Sequence, residues 1–439
     1  MVYYLNLLLL KRLIGKLPKV AASPVEGLYT TDHQRMTKRQ HLAVIMSDHP
    51  SLELRYYRKG QWEGCNSESW VFLAKGTDRN VAAFGNPDRA IAYAASCRNF
   101  RGANLRGADL SKAKLRRTVL EGADLSGADL RWADLREADL TNVNLRGAVI
   151  EGAYLRRADL RGADLSETKL RRADLRGADL VGASIFGADL CNATLTEADL
   201  TGAHLQYAYL SNANMTGAEL TDAILPWTDL SGANLTRANL SRADLRDANL
   251  TDADLTGANL TGTNLSKATL LSTDLAGAIL READLIGAIL TGAILREADL
   301  RNANLTGADL SSAILHWSNL RDANLTGADL TEATLLRADL ARANLTGANL
   351  SKAFIFLRTG LAGAKFTNAN LTGAIISRDD RSWADRKKAQ LSLPRNLADE
   401  QLTEAKFCCT VFIEDSTLNP NRDCEELGID PDTGEWLGP

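Results

Sequence analysis

Arg116, Arg136, Arg156 and Arg176 recur at intervals of 20 residues, and Arg117 and Arg157 stand beside two of them. Asp139, Asp159 and Asp179 keep the same interval. If residues at that interval lie above one another, both sets become columns of like charge. Like charges about 5 Å apart repel, so a bare Arg column needs counter-charge. Two arrangements supply it. One is lateral pairing with the Asp column on the next side, worth little per pair on a solvated face. The other is an acidic partner surface docked along the stripe. Electrostatic recognition is the chemistry that these residues offer.

Bond-breaking chemistry has no comparable set. The chain contains no Ser-His-Asp spacing, no glycine-rich phosphate loop and no metal motif. His33, His41 and His49 are separated by eight residues, an interval that matches no ligand pattern. Cys65, Cys97, Cys191, Cys408, Cys409 and Cys424 form no C-x-x-C pair and read as free thiols of a reducing cytosol. The many aspartates occupy one position of a short repeat, where they bond the turn backbone, so a carboxylate pair among them does not signal acid–base catalysis. The expectation is a protein with no catalytic residue, no cofactor and no metal.

The repeat runs from Phe100 to Ile355. A large apolar residue falls on every position divisible by five, 52 times without a slip. It is Leu except at Phe100, Ile150, Ile185, Met215 and Ile355. From Leu105 onward Ala stands two residues earlier, replaced only at Thr118, Val143, Thr168, Thr228, Thr263, Thr273 and Ser318. Asp or Asn usually separates the two, and Gly often follows the Leu by two. The unit is A-(D/N)-L-x-x. A period of five fits neither an amphipathic helix nor a simple strand. Sustained self-similarity implies a stacked, quasi-one-dimensional architecture. A short extended piece and a tight turn satisfy the unit, with one large and one small residue pointing inward. Four such sides close a coil, and Leu stacks on Leu from coil to coil.

On these units the chain resembles the pentapeptide-repeat family. The resemblance implies a mainly β fold, a right-handed four-sided β-helix. With four sides, 52 units make 13 coils, a rod of roughly 60 Å at ~4.8 Å per coil.

Departures from the repeat are the candidate contact points. Tyr207 and Trp227 occupy equivalent outward positions one coil apart, with Phe186 and Pro226 in the neighbouring column. Together they form an exposed apolar patch of the kind that marks contact sites. Trp132 and Trp317 stand alone. Ile279, Ile289, Ile294 and Ile314 replace Asp or Asn, and Ile294 and Ile314 are one coil apart; ordinary β-propensity on an outer face accounts equally well for this cluster.

The ends differ from the rod and from each other. Residues 1–60 carry ten Lys/Arg against four Asp/Glu, whereas residues 377–439 carry eight against fourteen. Residues 1–22 form an apolar or amphipathic segment with Leu5, Leu8, Leu9, Leu13 and Leu17 on one helical face. It is too short to span a bilayer and has its charges on the wrong side for a signal peptide. Three roles stay open for it: packing on the chain's own next domain, docking into a partner, or lying on a membrane surface. Residues 23–95 read as a linker followed by a small α+β capping domain. Its strands are expected at Leu52–Trp62, Trp70–Ala74 and Val81–Phe84, and its helix is capped by Asn86 with Pro87 at the first position. The β-helix takes residues 96–376. After Ile355 the frame slips by one, to Phe366, Leu371 and Ile376. Residues 377–418 hold a charged excursion and a last coil, with the rhythm returning at Leu397, Leu402, Phe407 and Phe412. Residues 419–439 are an acidic tail containing Trp436.

Two functional classes remain. One is a rigid scaffold or linker, cytoplasmic and placed at the face of a membrane-associated complex, that holds protein partners in a larger assembly. The resembled family is abundant in cyanobacteria, so a photosynthetic antenna or photosystem complex is one such assembly. The other is a DNA mimic acting on a type II topoisomerase such as gyrase, as some family members are. Duplex DNA carries one charge per ~1.7 Å, so a mimic of this length presents about 35 negative charges. Residues 101–350 carry 26 Lys/Arg and 33 Asp/Glu, a net of −7. The charge balance favours the scaffold, with protein partners and no nucleic acid.

Overall fold

The computed structural model of the chain describes residues 52–57, 69–74, 80–84, 100–356 except 104 and 109, 360–377 and 411–412. The segment 1–22, the helix expected from Asn86, the excursion beyond 377 and the tail with Trp436 lie outside the described residues. Two compact units divide the chain, Met1–Ala193 and Thr194–Pro439. In the first, β1 (Leu52–Tyr57), β2 (Ser69–Ala74) and β3 (Asn80–Phe84) form an antiparallel sheet in the order β1-β2-β3; β2 and β3 each begin one residue before the stretch expected.

From residue 100 onward both units obey one local rule. Ala103 donates its amide to the Phe100 carbonyl at 3.0 Å, and the same three-residue bond recurs at each later repeat. It closes a tight turn whose third residue has positive φ. Every turn residue from Gly102 to Lys352 adopts φ between 54° and 66°. A side chain in this region is strained, and a β-branched one most of all. The sequence answers with Gly, or with Asn, Asp, Arg, Glu, Lys, Ser and four aromatics, and never with Val, Ile or Thr. Positive φ confined to the third residue is the mark of a type II turn. Pro226, in the second position of its turn, suits that geometry because its ring fixes the required negative φ.

Between turns the chain is extended just long enough to pair. Within each unit, parallel bridges join residues in the Asp/Asn position to their equivalents 20 residues on, as Asp124 to Asn144 and Asn234 to Asp254. Four turns therefore make one coil. The bridge flanks are the Leu amide, which bonds a carbonyl in the next coil (Leu105 to Asp124, 2.7 Å), and the Asp/Asn amide, which bonds back (Asp124 to Ala103, 2.8 Å). The turn amide joins too (Gly122 to Thr141, 2.8 Å). No residue among those described is helical.

The interior is Leu and Ala, with almost no accessible surface on Leu120 through Leu335. Where Thr replaces Ala, its hydroxyl commonly finds a carbonyl: Thr228 donates to Leu205 at 2.8 Å, Thr263 to Leu240 at 2.7 Å and Thr273 to Leu250 at 2.8 Å. A buried hydroxyl without such a partner would be costly.

The slip of frame after Ile355 appears as one extra residue. Asp339 bridges Gly360 and Phe354 pairs with Ile375, a step of 21 instead of 20. Here the bridges lengthen into strands: β4 (Phe354–Phe356), β5 (Ile375–Ser377) and β6 (Val411–Phe412), parallel in that order. Phe412 pairs with Ile376; the rest of the expected last coil lies outside the described residues.

Burial separates inward from outward positions. Leu240→Ala should destabilise the fold by about 2–5 kcal/mol, since its buried site cannot collapse fully. Thr236→Ala removes hydroxyl bonds of 2.6 and 3.1 Å to Asn234 and Asp254 on a half-buried surface and should cost about 1 kcal/mol. Denaturant titration of the two variants checks the assignment; comparable losses would reverse the faces.

Candidate interaction surfaces

Four of the five amides in each repeat are consumed by the turn and the coil-to-coil bonds. The fifth belongs to the residue after the Leu, and its acceptor is a side chain. Asp124 Oδ1 takes the Ser126 amide at 3.0 Å, Asp229 the Ser231 amide at 3.1 Å and Asn344 the Thr346 amide at 3.2 Å. The aspartates of the repeat are thus turn closers, as their position suggested. Asn adds a donor that reaches the previous coil: Asn259 Nδ2 bonds Asn239 at 2.9 Å, and Asn249 bonds Asp229 at 3.1 Å. Interspersed Asn thereby breaks up carboxylate columns that would repel.

The same carboxylates claim the Arg column. Arg136 grips Asp134 with Nε and Nη2 at 2.7 Å each, and Arg176 grips Asp174 at 2.8 and 2.6 Å. Arg116 and Arg117 both bond Glu137, at 2.5 and 2.6 Å. Arg156 contributes to holding the Asp174 carboxyl low, behind the Arg176 hydrogen bond. The expected lateral pairing with Asp139, Asp159 and Asp179 does not form. Asp139 bonds Thr141, and Arg161 takes both Asp159 and Asp179. The reason is distance along the chain. An Asp two residues before the Arg sits on the same corner and offers its two oxygens to the planar guanidinium fork. Three of the four column charges, Arg116, Arg136 and Arg176, are answered internally, whereas Arg156, which follows Tyr154, makes no ion pair among the described residues.

A tighter cluster lies in the second unit and escaped the sequence reading. Asp299 accepts from Arg301 at 2.9 and 2.8 Å and from Arg281, one coil earlier, at 2.6 Å. The Arg301 bond, opposed by partial burial and reinforced by Arg281, pulls its carboxyl down to about 2. The Arg281, Arg301 and Arg321 column was visible at the 20-residue interval.

The aromatic departures occupy the strained corners. Trp132, Tyr207, Trp227 and Trp317 all hold the positive-φ position, at 59°, 58°, 56° and 57°. Tyr207 and Trp227 stack as expected, with centroids 5.2 Å apart and planes 6° from parallel. They are 47% and 53% exposed. Tyr209, which the sequence reading passed over, is 53% exposed two residues from Tyr207 and bridges Asp229. The usable signal was an aromatic in an Asp/Asn position. Phe186 is exposed in the first unit. Trp132 is not isolated: its ring covers Gly152, where an added Cβ would meet ring carbons at 2.5 Å. Trp317 meets His316 edge-on at 5.7 Å. Burial, with Arg296 nearby, lowers the His316 pKa.

The isoleucines divide. Ile279 and Ile289 are exposed, whereas Ile294 and Ile314 are half-buried and paired with each other. Their ladder continues through Thr334, Phe354 and Ile375 to Val411. Among the described residues no group of His, Cys, Asp and Glu is placed to hold a metal ion, and no helix is long and apolar enough to cross a membrane.

The family model described as Pentapeptide repeats matches the chain in eight copies, over residues 99–122, 123–162, 158–197, 193–232, 233–270, 278–316 and 318–354. A comparison with curated proteins gives no match. Among solved structures, HetL of the cyanobacterium Nostoc sp. strain PCC 7120, a pentapeptide repeat protein involved in heterocyst differentiation regulation, is 34% identical; the match covers 54% of this chain and 89% of HetL, with a TM-score of 0.22. Rfr23 of the cyanobacterium Cyanothece 51142 is 38% identical over 24% of this chain and 62% of its own length, with a TM-score of 0.17. A pentapeptide repeat protein of the Arabidopsis thaliana thylakoid lumen is 32% identical over 34% and 88%, with a TM-score of 0.20.

The Asp299 clamp sets a pH dependence. Its folded-state pKa lies below the ordinary carboxylate value near ~4, so the unfolded chain binds the proton first. The clamp's contribution is complete above that value and is lost as pH falls through about 2. The thermal midpoint of the wild type should therefore fall more steeply across this window than that of Asp299→Asn. Parallel curves would mean that the clamp contributes nothing.

Proposed function

The chain belongs to the pentapeptide-repeat family, and on that premise we propose that it is a non-catalytic scaffold or linker joining protein partners in a larger assembly. One observation carries the reading. The repeat surface answers its own polar groups, while Trp and Tyr side chains stand exposed at turn positions where they are conformationally costly. Stability alone gives no reason to keep a bulky ring in that conformation. Interfaces draw their binding energy from such aromatic anchors, set among polar contacts that add little. A rigid coil holds the anchors at fixed separations, as a linker requires.

In this reading the coil is right-handed, residues 23–95 and 377–418 cover its ends, and the unlike termini supply further docking elements. The protein works in the cytoplasm, at the face of a membrane-associated complex. A photosynthetic antenna or photosystem assembly is the setting that the family's abundance in cyanobacteria suggests. Gyrase-directed DNA mimicry is the weaker reading, because residues 101–180 carry 16 Lys/Arg against 13 Asp/Glu, where a mimic needs uniform negative charge.

Deletion of residues 1–22, deletion of residues 419–439, and the double variant Tyr207→Ser/Trp227→Ser should each reduce incorporation of the full protein into its native high-mass complex, followed by size exclusion and mass spectrometry. Migration of the wild type as a free monomer in every fraction would overturn the scaffold reading. Submicromolar inhibition of gyrase supercoiling by the pure protein would favour the mimic.

A further inference from the structure

The surroundings of the Tyr207–Trp227 stack define what fits it. Residues 194–236 contain five Asp/Glu and not one Lys or Arg, an interval that spans the stack. Most of these carboxylates are held by neutral donors. Asp199 bonds Thr201, and Asp229 bonds Ser211, Ser231 and Asn249. Hydrogen bonds from hydroxyls and amides leave the negative charge in place. Asp222 alone among them is paired with a cation, Arg242 of the same column, and that column is a different corner from the one that carries the stack. The aromatic corner thus sits in an uncompensated negative field, opposite in sign to the well-paired Arg surface of residues 101–180.

The ring geometry adds direction. Tyr207 precedes Trp227 by one coil and covers one ring face. The next residue of the same corner column, one coil on, is Asp247, which is exposed. Its neighbour Arg246 is committed to Asp244 through hydrogen bonds of 2.9 and 2.7 Å. A half-exposed indole with an exposed carboxylate in the same column one coil on suits a flat cation. A guanidinium stacks on the ring and donates to the carboxylate, which a compact ammonium does less well.

We propose that the Tyr207–Trp227–Asp247 corner is the docking site for an arginine in a basic segment of a protein partner. This rests on the scaffold reading and names the chemistry of one partner contact.

The experiment uses the full chain and two fluorescent probes, octa-arginine and octa-lysine, titrated by anisotropy at physiological salt. Octa-arginine should bind more tightly than octa-lysine. Trp227→Gly should weaken octa-arginine by about three- to thirtyfold, the range of a cation–π contact, and abolish the preference. Gly is the residue that the repeat itself favours at positive φ, so this variant relieves backbone strain. Asp247→Asn keeps the rings intact and should weaken octa-arginine in the same direction. Trp132→Gly, at an equivalent corner in the basic stretch, should leave binding unchanged. Equal affinity for both probes, untouched by Trp227→Gly and Asp247→Asn, would overturn the proposal. So would concentration-dependent dimerisation of the wild type that Trp227→Gly abolishes, because the occupant would then be a second copy of this chain. If the probes fail while the wild type still enters its native complex, the arginine site falls and the scaffold reading stands. If the wild type enters no complex, the scaffold reading falls as well.

Discussion

The structure depends on closing one amide per repeat. A turn every five residues leaves the backbone with five donors. Two are taken by the next coil, one by the previous coil and one by the turn itself. The fifth, on the residue after each Leu, has no carbonyl within reach. An Asp or Asn two residues back closes it, as Asp164 does for Ser166 at 2.9 Å and Asn234 for Thr236 at 3.0 Å. Such a bond is worth only about 1 kcal/mol, but it recurs at corner after corner. The coil width, the inward Leu and Ala columns and the placement of every charged group follow from that geometry. Arg beside an Asp is a consequence: the carboxylate that closes the turn already points at the next side chain.

A surface built this way is uniform, and uniformity is its limitation as a recognition element. Information enters where the code is broken. Tyr209, Ile294 and Ile314 give up the turn-closing oxygen, and Trp132, Tyr207, Trp227 and Trp317 accept a backbone conformation that suits Gly. Each substitution loses something local and places apolar surface outside. The broken positions, more than the repeat, give this chain its identity.

Much of this was legible in the residues. The Leu and Ala positions, the inward faces, the frame slip after Ile355 and the Tyr207–Trp227 stack all follow from counting by five and by twenty. The strands of the small domain were placed by their aromatic and β-branched content. What the sequence did not yield was pairing. A column reading treats Arg136 and Asp139 as neighbours on adjacent sides, whereas the bidentate fit of Arg136 to Asp134 is decided by corner geometry. The positive φ at the third residue of every turn was also hidden, since Arg, Glu and Lys share that position with Gly. In retrospect the absence of Val, Ile and Thr from that position was the signal. Tyr209 was missed because aromatic departures were sought at the outward turn positions and only isoleucines at the Asp/Asn position.

The turn-closing bond is open to direct measurement by amide hydrogen exchange resolved to single residues. Ser231 and Thr236, whose amides are held by Asp229 and Asn234, should exchange slowly. Ser211, Arg296 and His316 follow Tyr209, Ile294 and Ile314, which offer no side-chain acceptor at that position, and should exchange fast in the same folded coil. Uniform protection at all five positions would contradict the account, because the fifth amide would then have an acceptor other than the side chain on which the repeat is argued to depend.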